Sequence, residues 1–117
     1  MPLTFISPTP LLRALAAPTL LLACSLASAA GNADQMALGK KLFTTSVPAC
    51  ALCHTLKDAG AEGAVGPVLD ELQPDAARVS KALRDGLGSM PSFKTSLTEA
   101  QIAALALYVS KASRGQK

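Results

Sequence analysis

The amino-acid sequence predicts an all-α fold: one small domain of three to five short helices joined by long loops. Three observations carry that expectation. No stretch shows the strict apolar–polar alternation that a half-buried sheet requires. Residues 98–112, "TEAQIAALALYVSKA", combine a helix-start signature with apolar residues at helical spacing. Between such segments the chain runs through stretches bearing glycine and proline that read as loops.

Residues 1–30 stand apart. They carry a single charge, Arg13, then an apolar run over residues 14–26, and end in Ala27-Ser28-Ala29. A run of that length, interrupted by Pro18, is too short to span a bilayer. Charge, apolar run and small residues in this order make a secretory signal peptide, cleaved near Ala29 or Ala30; an N-terminal membrane anchor is the alternative. Leu21-Leu22-Ala23-Cys24 also resembles a bacterial lipobox, in which Cys24 becomes the lipid anchor of a lipoprotein facing the periplasm. Either route exports the chain. Cleavage after Ala30 leaves residues 31–117 as one domain with two cysteines.

Loss of Arg13 leaves that domain one basic residue short of the chain's 11, against 8 acidic ones. So small an excess, with no basic cluster, gives no footing for nucleic acid. The aromatics left are Phe43, Phe93 and Tyr108. A domain this small draws little stability from its own core, and with so few large side chains something else is expected to fill its interior.

The elements follow in order. Asp34 is placed to cap a first helix over residues 34–44, with Met36, Leu38, Leu42 and Phe43 as its apolar material. Ser46-Val47-Pro48 ends it. Residues 57–67, "KDAGAEGAVGP", hold three glycines and a proline and read as loop. A second helix is expected over residues 75–85 after Pro74, with Ala77, Val79, Ala82 and Leu83 on its apolar face and Gly86 at its C-cap. Residues 86–96, "GLGSMPSFKTS", read as irregular chain. The last helix starts at Thr98, whose partner Gln101 completes a capping box, while Leu97 can staple to Ile102. Ile102, Leu105, Val109 and Ala112 then recur at spacings of a helical face, with Tyr108 beside them.

The chemistry concentrates in "VPACALCHT", residues 47–55, which holds Cys50, Cys53 and the only histidine, His54. Zinc needs three or four protein ligands, and no further histidine exists to join these three residues. A thioredoxin-like dithiol belongs beside a βαβ pattern, which is missing here. A disulfide between Cys50 and Cys53 would close a tiny loop, constraining little, and would leave His54 unexplained. Covalent haem attachment uses all three residues: C-x-x-C-H is the c-type haem signature. Two intervening residues on a helical turn set the thiols at the spacing of the porphyrin vinyl groups, and the next imidazole reaches the iron.

From Cys50-Ala51-Leu52-Cys53-His54 onward the chain resembles the small monohaem cytochromes c of bacterial periplasms. The likeness covers essentially all of residues 31–117, and implies a cytochrome c-like fold wrapped around one covalent haem c. It implies that the first and last helices cross closely, Gly39 permitting the approach and Phe43, Leu105 and Tyr108 sealing it. Gly66-Pro67, placed 12 residues after His54, matches the family's Gly-Pro, whose proline carbonyl accepts the Nδ1 proton of the ligand histidine and makes Nε2 the better donor. An ordinary turn is the other reading of that dipeptide. Met90, in "GSMPSF", stands where the family's distal methionine does, so the resemblance implies His54 and Met90 as axial iron ligands. The alternative makes Met90 a gap-filling core residue; Met36, inside the first helix, is expected to be a core or surface thioether. Leu69, Leu83 and Phe93 are candidates for the apolar wall around the ring. Lys57 and Lys94 are candidates for its rim, with plain solvated surface charge as the other reading.

His/Met ligation suits an electron carrier, since it raises the reduction potential relative to two imidazoles and leaves iron no open position. The stretches "HTLKDAGAEGAVGPVLDEL" and "ALRDGLGSMPSF" also look like the cytochrome subunits that accompany periplasmic sulfite dehydrogenases. That resemblance implies a molybdenum-containing catalytic subunit as electron donor and a downstream cytochrome or terminal oxidase as acceptor. Two other readings stay open: a haem-based sensor or ligand-binding protein in which Met90 leaves the sixth position free, and a thiol–disulfide exchange enzyme using Cys50 and Cys53.

Overall fold

The computed structural model describes residues 20–116, with side chains from Ala29 onward. Most of the expected signal peptide, Arg13 and Pro18 included, and the side chain of Cys24 in the lipobox, lie outside these residues. Among the described residues no helix is long and apolar enough to cross a membrane.

Among the described residues four α-helices make the fold: α1 (Leu20–Thr45), α2 (Leu69–Leu72), α3 (Ala76–Asp85) and α4 (Glu99–Ala112). The expected helical class holds, with one difference at its start. Asp34 lies inside α1 and caps nothing, because the upstream residues are rich in alanine and leucine, both strong helix formers. Gly31 costs such a helix about 1 kcal/mol and does not stop it. The packed part of α1 nevertheless begins at Met36, since residues 29–35 are all exposed. The helix ends at Thr45, just before the cis Val47–Pro48 bond.

The segment expected to be loop carries more order than its glycines suggest. Thr55–Leu56 (β1) pairs antiparallel with Ala61–Glu62 (β2), and a 3-10 turn over Lys57–Ala59 connects them through Gly60 in the left-handed region, φ 61°. Strands two residues long are too short to show alternation. The single-turn α2 was likewise not expected, and it closes on Gln73, which takes the left-handed φ of 45°.

The two capped helices form as their sequences require. The Asp75 side chain accepts the Arg78 N–H at 2.7 Å, and α3 stops at Gly86, φ 73°. At α4 the Thr98 hydroxyl accepts from the Gln101 N–H at 3.2 Å, while the Gln101 side chain accepts from the Thr98 N–H at 2.9 Å. Ile102 behind this cap is fully buried, and Leu97 packs against the same core.

The core lies where α1 meets α4. At Gly39 the helices approach so closely that a Cβ there would stand 2.3 Å from the Ala104 carbonyl oxygen and 2.5 Å from Tyr108 Cβ. One turn on, Phe43 meets Tyr108 edge to face, centroids 6.1 Å apart. The Tyr108 hydroxyl then leaves the apolar interior and donates to Asp58 at 2.7 Å, and Lys40 pairs with the same carboxylate at 3.1 Å. Burial first, and then the Asp58 carboxylate, push the Tyr108 phenol well above its usual range. Helix α3 is tied to α4 by Arg84, which grips Glu99 with both Nε and Nη2. Arg114 reaches from beyond α4 to the carbonyls of Gln73 and Pro74.

Candidate functional site

The C-x-x-C-H segment forms one tight turn. Cys50–Leu52 is a 3-10 helix; Cys53 N–H and His54 N–H both donate to the Cys50 carbonyl, at 3.1 and 3.0 Å. Cys50 and His54 therefore sit one turn apart. Both thiols are free and half-buried. Burial pushes the Cys50 thiol up, against a weaker lowering by its contact with the Ser46 hydroxyl at 3.7 Å. A catalytic dithiol needs the opposite shift, so the thiol–disulfide reading finds no support in this turn.

The turn is braced from the segment that follows β2. Gly66 N–H donates to the Cys53 carbonyl at 2.7 Å. A Cβ at Gly63 would stand 2.6 Å from the Cys53 carbonyl carbon and from the His54 amide nitrogen. One at Gly66 would stand 2.5 Å from Cε1 of the imidazole and 2.8 Å from Nδ1. The ring thus lies flush against bare backbone. Its Nδ1 is 2.9 Å from the Pro67 carbonyl oxygen. A carbonyl can only accept, so Nδ1 carries the proton and the Nε2 lone pair is left for another partner.

Met90 comes from a different part of the chain and is held as firmly. Leu87 and Met90 exchange both backbone hydrogen bonds at 3.0 Å across Gly88-Ser89, with Gly88 at φ 56°. That is the position at which two-residue turns of type II′ favour glycine. Gly86 packs beneath, where a Cβ would stand 2.8 Å from the Met90 carbonyl oxygen. Beyond the turn, the Ser92 hydroxyl donates to the Arg84 carbonyl at 2.5 Å and the Phe93 N–H to that of Leu83 at 2.7 Å. The segment expected to be irregular is a turn fastened to the end of α3.

Cys50, Cys53, His54, Pro67 and Met90 all line one cavity of about 660 Å³. Its walls are mainly apolar: Leu69, Leu83 and Phe93 are there as expected, joined by Phe43, Leu105 and Val109. The volume lies inside the roughly 300–1,000 Å³ typical of cofactor sites.

The family described as cytochrome c oxidase, cbb3-type, subunit III matches residues 34–109. The chain belongs to the c-type cytochromes. Among solved structures, the c-type cytochrome SorU from Sinorhizobium meliloti is 54% identical, with a TM-score of 0.67, over 71% of this chain and 94% of that one. No curated protein sequence matches this cytochrome. Membership makes it an electron-transfer protein, not a catalytic enzyme, and implies covalently bound haem c.

The residues present fit that group. The cytochrome supplies two thiols on one turn, an imidazole with its Nδ1 already engaged, a thioether, and an apolar cavity that all of these share. Neither Lys57 nor Lys94 lines the cavity. Lys57 belongs to the β1–β2 connection, where its N–H donates to Asp70 at 3.0 Å. The basic residues at the cavity are Arg78 and Lys81. Their signal in the sequence was helical phase: they flank Val79 and Ala82 on α3, the apolar side already identified. Gly63 had no such signal, because its role depends on a contact with a turn ten residues earlier.

Proposed function

We propose that this cytochrome is a periplasmic monohaem carrier of single electrons, in which His54 and Met90 would hold the iron and Cys50 and Cys53 would anchor the porphyrin through thioethers. The carrying observation is that one apolar cavity gathers these four side chains, and that the Pro67 carbonyl already fixes the His54 tautomer. When bound, the haem supplies a one-electron Fe(III)/Fe(II) couple. The protein's part is to hold and tune it. Pro67 strengthens His54 as a donor through Nδ1, while the Met90 thioether, a weak donor, favours the reduced state relative to a second imidazole. The braced Gly86–Phe93 segment keeps the sulfur in place, so that little moves as charge changes. Leu69, Leu83 and Phe93 exclude water from the ring.

Residues 1–30 are read as the export signal, with lipid attachment at Cys24 as the alternative processing, and residues 31–117 as the haem domain. The exposed start of α1 before Met36 supports a boundary there. The electron donor is a sulfite-oxidising molybdenum subunit and the acceptor a downstream cytochrome or terminal oxidase. The support for this is the likeness of residues 54–72 and 82–93 to the cytochrome subunits of sulfite dehydrogenases.

The test is to purify the exported protein and measure its mass and its pyridine haemochrome spectrum. The expected result is one haem per processed chain, bound through two thioethers. The ferrous protein should bind carbon monoxide slowly at neutral pH, and Met90→Ala should bind it rapidly. Rapid binding by the unaltered protein would overturn Met90 ligation and favour the sensor reading. Sulfite should reduce the cytochrome only in the presence of its catalytic subunit; no reduction by any periplasmic sulfite-oxidising fraction would remove that assignment.

A further inference from the structure

Three charged residues line the cavity: Arg78, Lys81 and Asp85, all on α3 and all exposed. Two of them satisfy each other, since Lys81 Nζ donates to Asp85 Oδ2 at 2.7 Å. Arg78 is different. Its backbone N–H serves the Asp75 cap at 2.7 Å, but among the described residues its guanidinium pairs with no carboxylate. A cation at the mouth of a mainly apolar cavity, one turn from a neutralised neighbour, marks the place where an anionic part of the occupant can end.

Resting on the haem reading above, we infer that Arg78 binds a carboxylate arm of the tetrapyrrole. The ring is apolar and belongs inside; its propionates carry charge, and burying them unpaired is costly. They must leave the cavity at an edge that offers water or a cation. Arg78 offers a planar fork of donors that matches a carboxylate with two parallel hydrogen bonds. Its fixed positive charge also opposes the gain of positive charge on oxidation, and so holds the reduction potential up. Lys81, already balanced by Asp85, contributes little of either effect.

The experiment uses the holoprotein, with Arg78→Gln, Arg78→Lys and the charge-matched control Lys81→Gln. Two quantities are read: the reduction potential by voltammetry, and the propionate bending band in the resonance Raman spectrum, which moves with hydrogen bonding to the carboxylate. Arg78→Gln should lower the potential and move the band. Arg78→Lys should hold the potential near its original value and still move the band, because the fork is gone. Lys81→Gln should leave the band in place. A band unmoved in both Arg78 variants overturns the inference, as does an equal fall in potential for Arg78→Gln and Lys81→Gln. Should Arg78→Gln not mature, Arg78→Lys alone decides through the band. Unaltered protein without covalent haem defeats the underlying reading instead, which the haemochrome spectrum reports separately.

Discussion

A Cβ built on Gly66 would stand 2.5 Å from Cε1 of His54. Real side chains do not come this close, so the imidazole can occupy its place only because residue 66 has no side chain. Gly66→Ala should turn the ring away and weaken the contact between Nδ1 and Pro67. A less basic imidazole supports Fe(III) less well, so the reduction potential should rise. Overpacking of this kind costs about 1–3 kcal/mol of stability. An unchanged potential and an unchanged melting temperature together would refute the prediction.

Gly39 poses a contest between two effects. Inside an exposed helix, Gly→Ala gains about 1 kcal/mol. Here the new methyl would strike the Ala104 backbone at 2.3 Å, and neither helix can yield by moving a flexible tip. Gly39→Ala should therefore destabilise by about 1–3 kcal/mol net, and Gly39→Val by more. Chemical denaturation of the holoprotein measures both, and a stabilised alanine variant would show that the crossing is looser than described.

The haem-free chain should be largely unfolded. A dry cavity costs about 24 cal/mol per Å³, which for 660 Å³ amounts to roughly 16 kcal/mol. Water entering from the open edge relieves a share of this, yet the remainder competes with a total stability of about 5–15 kcal/mol. A Cys50→Ala/Cys53→Ala variant exported without cofactor should lack a cooperative far-UV melt; a sharp transition would contradict the expectation.

Alkaline pH should expose the Tyr108–Asp58 contact. Burial and the neighbouring carboxylate raise the folded-state pKa of the phenol above its ordinary value of 10.0. Between those two values the folded chain holds a proton that the unfolded chain has lost. Stability is then fully present below about pH 10 and declines as pH rises toward the folded value. Tyr108→Phe should lose about 1–2 kcal/mol at neutral pH through the missing hydrogen bond and show a flatter alkaline profile. A parallel profile would assign the alkaline loss to other groups.

In acid the opposite sign applies at Glu99. The Arg84 hydrogen bonds hold its carboxyl below the usual range, so its contribution is present above the unfolded pKa and fades as pH falls through the folded one. The pair is exposed and its worth small. Glu99→Gln should show a slightly shallower acid limb in thermal melts recorded with falling pH, with high salt erasing the difference; a persistent difference in high salt would mean the glutamate acts by another route.

What the chain made legible before folding was its local chemistry. The Thr98–Gln101 box, the Asp75 cap and the Gly86 stop each involve residues within a turn of one another, and each forms as expected. The start of α1 was misplaced because Asp34 is a good cap only if the residues before it are not themselves helical. The β1–β2 pair and α2 are too short to impose a period. Cys50, Cys53 and His54 stood out by type and spacing, and Met90 through the resemblance to the family's methionine; the fold brings all four to one cavity. Gly63 and the Asp58 partner of Tyr108 did not, because each acts on a residue brought close only by the fold. Lys57 and Lys94 were candidates for the rim or for plain surface charge; neither lines the cavity, although Lys94 stays near enough to Asp85 to help Lys81 lower its pKa.

The α1–α4 crossing has a bearing on maturation. Its contact points, Gly39 and Ala104, lie on either side of the cysteine turn and far from each other along the polypeptide, so the interior cannot shut until the later helix has been made. Until then Cys50 and Cys53 stay uncovered, and under the proposed reading the late arrival of one helix would leave a window in which haem could be attached.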